Sequence, residues 1–116
     1  MSLKKVTAIF NELKLNDVED ALRKHSITGY TIHKTEGRGH YVDTYNKNHL
    51  SPHIQMDIYT SEKYASKMAN IIIDAAHANT EDEGLVSITP VDDLFWIHTK
   101  RLAQEDKFTM LELEND

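Results

Sequence analysis

"HIQMDIYTSEKYASKMANIIIDAAH", residues 53–77, contains the change of period that decides the fold. Over its first residues apolar and polar side chains alternate. Ile54, Met56 and Ile58 fall on one side, Gln55, Asp57 and Tyr59 on the other. A period of two reads as a half-buried strand. From Ser61 the period lengthens. Ala65, Met68, Ile72, Ala75 and Ala76 recur at three- and four-residue steps, the stripe of an amphipathic helix, with Thr60 or Ser61 as its cap. One strand runs straight into one helix.

The same order stands in the amino-terminal half. "KKVTAIF" (4–10) alternates Val6, Ala8 and Phe10 and reads as a strand. "LNDVEDALRKH" (15–25) reads as a helix, with Asn16 as N-cap, Glu19 completing a capping-box-like pair, and Val18, Ala21 and Leu22 on one face. "ITGYTIHKT" (27–35) reads as a second strand, with Tyr30 and Ile32 facing one way and Thr31 and His33 the other. Towards the carboxyl end, "LVSITPVDDLFWIHTK" (85–100) reads as one long strand in which Pro90 marks an edge or a bulge. The order β-α-β-loop-β-α-β, with right-handed crossovers, predicts an α+β, ferredoxin-like βαββαβ fold: an antiparallel sheet of four strands with both helices on one face. The other face would carry Thr31, His33, Gln55, Asp57, Tyr59 and part of the last strand, a polar surface suited to water or to an oligomer interface.

At 116 residues the chain is read as a single domain (1–116), with a core at about 4–100 and a polar tail at 101–116. The formal net charge of −6, from 19 acidic and 13 basic residues, argues against a nucleic-acid partner. With no cysteine there is no disulfide framework and no Cys-based zinc site, which fits a reducing cytoplasm. The longest apolar run, Ile71–Ile73, is too short to span a membrane, and the amino terminus lacks the apolar core of a signal peptide. The expected location is therefore cytoplasmic, without membrane insertion.

"KTEGRGHYVDTYNKNHLSPH" (34–53) has no regular period. Gly37 and Gly39 can reach positive φ and offer backbone N–H groups to an anion, or can simply turn the chain at a strand end. Arg38 between them can pair with a phosphate or carboxylate, or sit in solvent. His33, His40, His49 and His53 raise the question of a metal, because imidazole is a common ligand. Their spacing matches no tight zinc motif, so the loop histidines read as solvated; His33 differs in lying on a strand face. Glu81, Asp82 and Glu83 read as a solvated turn without the spaced acids of an EF-hand. Phe95 and Trp96 read as packing at a strand end or subunit interface, with base stacking as the alternative for Trp96. No Ser-His-Asp, Cys-His or paired-carboxylate arrangement stands out, so the chain does not read as an enzyme.

Four strings, "KKVTAIFNELKLNDVEDALRKHSITGYTI", "TEGRGH", "LSPHIQMDIYTSE" and "GLVSITPVDDLFWIHT", resemble the PII signal-transduction superfamily over roughly residues 4–100. The resemblance implies a homotrimer that binds nucleotide in clefts between subunits and signals through a mobile T-loop, here at about residues 37–52. Under it, Gly37 and Gly39, with Arg38, match the glycines beside the phosphates. Thr31 stands where the family contacts adenine, Asp57 at a carboxylate position near the loop base, and Gly84 at the last glycine of the phosphate-binding B-loop. Trp96 and His98 replace late arginines, and His98 would give a weaker, pH-sensitive phosphate contact. His53 takes the T-loop lysine position. Together with His40, Tyr41, Tyr45 and His49 it is assigned to partner contact.

The B-loop positions hold Asn79-Thr80-Glu81-Asp82-Glu83, acids where the family has glycines and lysines. Like charges repel, so ADP or AMP is expected in preference to ATP. In this the chain is similar to a divergent PII-like branch, the carboxysome-associated and bicarbonate-transporter-regulating proteins. That likeness implies bicarbonate as a second ligand, a transporter or enzyme as the target, inorganic-carbon metabolism as the setting, and no permanent cofactor. The alternative, motivated by the histidines, is a metal-binding, metal-tolerance trimer of the CutA type.

Overall fold

A computed structural model describes residues 2–37, 51–78 and 84–112, with 36 and 51 by backbone alone. Its elements are β1 (Leu3–Asn11), α1 (Leu15–Lys24), β2 (Thr31–Gly37), β3 (Ser51–Ser61), α2 (Glu62–Ala76) and β4 (Gly84–Val91). The strands form one antiparallel sheet in the order β2-β3-β1-β4. Each βαβ unit is thus split by a strand from elsewhere, the ferredoxin-like arrangement.

The period-two reading of β1 and β3 sets the core. Val6 pairs with Ile58, Ala8 with Met56 and Phe10 with Ile54, so the six lie on one face. All are buried, and they pack with Val18 and Leu22 of α1 and Ala65, Met68, Ala69 and Ile72 of α2. Ala75 and Ala76 pack at the margin of this cluster. Their burial is the main favourable term holding helices to sheet.

Three boundaries differ from the sequence reading. Asn16 does not cap α1. The chain leaves β1 through a short 3-10 turn (Glu12–Lys14), and the Asn11 side chain caps that turn by accepting from the Leu13 N–H at 2.9 Å. The turn takes up the residues before α1, so Asn16 lies inside the helix, and Glu19 instead accepts a hydrogen bond from the Tyr30 hydroxyl at 2.5 Å. β2 begins at Thr31 rather than Ile27. α1 ends with Ser26 at positive φ, and Ile27 then turns into the core. β4 ends at Val91 because its partner β1 begins at Leu3, which pairs with Val91; beyond that point no strand is left to accept the ladder. Pro90 lies on this edge strand, where a missing N–H is tolerated.

Residues beyond β4 make a small hairpin. The Ala103 N–H donates to the Leu94 carbonyl at 2.7 Å, the Trp96 N–H to the Arg101 carbonyl at 2.9 Å, and Lys100 takes positive φ in the turn. α2 is not capped through the side chain of Ser61, which is buried. Ser2 serves instead: its carbonyl accepts from the Glu62 N–H at 3.0 Å and its hydroxyl donates to the Glu62 carboxylate at 2.6 Å. That hydroxyl, followed by the Lys4 charge, lowers the pKa of Glu62.

Candidate ligand and partner site

The face of the sheet away from the helices is mixed: Gln55 and Asp57 of β3 stand beside polar and apolar residues of the neighbouring strands. Cross-strand register brings Ser87, Thr7, Asp57 and Thr31 into one row and Leu85, Ile9, Gln55 and His33 into the next. Asp57 is the hub. Its carboxylate accepts from the Thr7 hydroxyl at 2.8 Å and the Gln55 amide at 3.4 Å, and the His33 ring lies 3.8 Å away. The Asp57 side chain is only 16% exposed, whereas His33 is mostly open to solvent. Thr31, the first residue of β2, pairs directly with Asp57. Two of the residues singled out in the sequence are thus neighbours. Thr7 was missed, because nothing in the alternation of β1 tells which strand lies beside it.

His53 is not a solvated loop residue. It is the third residue of β3, faces Asn11 on one neighbouring strand and Thr35 on the other, and is 1% exposed. A central-strand position flanked on both sides has little room to be wet. Gly37 closes the β2–β3 ladder opposite Ser51. Arg38, Gly39, His40, Tyr41, Tyr45 and His49 lie outside the described residues, as do Glu81, Asp82 and Glu83.

Gly84 opens β4 opposite Phe10 with φ +131°, and a Cβ there would stand 1.9 Å from the Ile9 carbonyl oxygen. Only glycine fits such a close approach of two backbones. Beside it lies a cavity of about 220 Å³, largely apolar, lined by Ile9, Ile73, Ala76, His77, Gly84, Leu85 and Val86. Among the described residues no three His, Asp or Glu side chains converge as a metal site would need.

One chain does not bring all its candidates together. Gly37 and Gly84 are at the same end of the sheet but on its two outer strands, three inter-strand gaps across and three residues along, or roughly 17–18 Å apart. His98 is in the turn of the hairpin that follows Val91, at the opposite end. Trp96, whose ring was a candidate for base stacking, lies on the Phe108 ring instead, centroids 5.7 Å apart and planes within 6°. Tyr30, half-buried, is pushed up to about 12 by burial and by its bond to the Glu19 carboxylate; it ties α1 to the start of β2 rather than serving a ligand.

The class is a ferredoxin-like α+β domain, with a glycine-dependent start to β4 and candidate residues split between the edges of its sheet rather than gathered in one pocket. The sequence model of the family described as nitrogen regulatory protein P-II matches residues 3–101. The chain is 29% identical over 105 residues to nitrogen regulatory protein P-II 1 of Methanothermobacter thermautotrophicus, covering 84% of this chain and 91% of that one. It is 30% identical over 107 residues to the P-II protein of Porphyra purpurea, covering 86% and 96%. The structure of Arabidopsis thaliana PII bound to citrate superposes with a TM-score of 0.75 at 22% identity, over 89% of this chain and 90% of that one. The chain belongs to the nitrogen regulatory protein P-II family, whose members are regulatory proteins. No described helix is long and apolar enough to cross a membrane.

Proposed function

We propose that this protein is a P-II-type sensor that binds an adenine nucleotide between the subunits of a homotrimer and acts on a target protein through residues 38–52. ADP or AMP is preferred over ATP, and bicarbonate is the candidate second ligand. The target is a membrane transporter or an enzyme, with inorganic-carbon metabolism as the setting and the cytoplasm as the compartment. The protein itself performs no metabolic reaction.

The observation that carries this reading is the placement of Gly84. It holds the start of β4 against Ile9 beside an apolar cavity, and Glu81, Asp82 and Glu83 stand just before it in the chain. An apolar wall suits a base, while a run of three acids immediately before Gly84 in the sequence weighs against each added phosphate. The split of Gly37 and Gly84 between opposite edges favours a site completed by a neighbouring copy. Thr31 beside Asp57 supplies a hydroxyl–carboxylate pair for ring-nitrogen or ribose contacts on the open face.

A thermal-shift screen of the purified protein with AMP, ADP, ATP and cyclic AMP tests the proposal. The expected result is a rise in Tm with ADP and AMP, since any ligand that binds only the folded state stabilises it by mass action. No response to any adenine nucleotide would defeat the sensing role.

A further inference from the structure

The segment after the hairpin lies beyond the family match, yet it is built into the core. The 3-10 turn Glu105–Lys107 and Phe108 run past the start of α2, where Ser61, Lys63 and Tyr64 face Glu105, Phe108 and Thr109 across a groove. Met110 is then buried in the core cluster. Leu111 zips to the end of α1 from both sides: its N–H donates to the His25 carbonyl at 2.8 Å, and the His25 Nδ1–H donates to the Leu111 carbonyl at 2.7 Å. His25 is itself buried, and the Lys67 ammonium reaches the Glu112 carboxylate at 3.5 Å.

The hairpin at 94–103 is held differently. Among the described residues its backbone hydrogen bonds all stay within it. A cleft of about 430 Å³ lies between it and the ends of β1 and β4 at Ser2, Leu3 and Pro90. Phe95 is 60% exposed and Ile97 95% exposed. The ring contact from the hairpin to the rest of the molecule is Trp96 on Phe108, and Phe108 is two residues from the Met110 anchor.

We propose that residues 104–112 form a strap that fixes the hairpin to the carboxyl end of α1, so that the hairpin and the strap open as one unit. Undocking Leu111 from His25 and lifting Met110 from the core removes the support under Phe108, and with it the support under Trp96. The position of the hairpin, and of Ile97 and His98 at its turn, is thereby set by a contact made at α1.

Trp96 is the single tryptophan, so its emission reports on the hairpin alone. Two full-length variants leave Trp96 and Phe108 untouched: Leu111→Pro, which removes the N–H given to His25, and Met110→Ala, which empties its core position. Phe108→Ala sets the signal of a hairpin without its stack. In both strap variants the emission of Trp96 is expected to shift to the red and its quenching by acrylamide to rise towards the Phe108→Ala value, with amide protection in β1 and β3 retained. Emission and quenching unchanged from the parent in both would overturn the proposal. Should either variant lose its fold, native-state hydrogen exchange on the unaltered chain decides. The Trp96, Ala103 and Leu111 amides should share one opening with one denaturant dependence, and separate openings would refute a common unit.

Discussion

β3 turns Ile54, Met56 and Ile58 towards the helices and Gln55, Asp57 and Tyr59 towards the open side. The inward set is fully covered by this one chain, and its role is complete within it. The outward set is half-finished: Asp57 gathers Thr7 and Gln55, but His33 and Tyr59 remain largely open. A side chain whose partners are all local to the fold can be tested by stability. One whose partners come from another copy or a ligand can be tested only by binding.

Substitutions should separate the two faces. Met56→Ala is expected to cost the most, about 2–5 kcal/mol in chemical denaturation, because it leaves a void at a site with 0% exposure. Gly84→Ala should follow, losing about 1–3 kcal/mol through backbone strain at φ +131° and the clash with the Ile9 carbonyl. If it keeps parental stability, the close approach of β4 to β1 is wrong.

Tyr30→Phe should lose about 1 kcal/mol at neutral pH and change the alkaline limb. The folded protein holds the Tyr30 pKa near 12 against an ordinary value of 10.0, so the neutral phenol favours folding. That contribution is complete below pH 10 and is lost as pH rises through 12. The phenylalanine variant should lack this part of the decline when denaturation is followed from pH 9 to 12. Thr7→Val is expected to have the smallest effect, about 1 kcal/mol or less, since Asp57 keeps Gln55 and partial access to water. A larger loss would mean that the open face, like the covered one, is a main source of stability.

Periodicity made the strand and helix placements legible, and with them the fold. It failed where a tertiary contact overrode a local signal. Asn16 carries the chemistry of a cap, but the turn at Glu12–Lys14 moved the boundary and left that task to Asn11. Leu94, Phe95 and Trp96 read as a continuing strand, yet β1 had already run out at Leu3. His53 looked like part of a polar loop because it ends the aperiodic stretch that precedes β3, while its burial depends on strands more than fifteen residues away in sequence. The strap was invisible for the same reason: Leu111 and His25 are 86 residues apart. At the site, Thr31 and Asp57 were found by resemblance, and only the register showed them side by side.

Isothermal titration of the purified protein with AMP, ADP and ATP–Mg tests the central claim most directly. Binding of ADP or AMP more tightly than ATP–Mg is the result that the proposal predicts from the acidic run Glu81-Asp82-Glu83. Tighter binding of ATP–Mg than of either would contradict it.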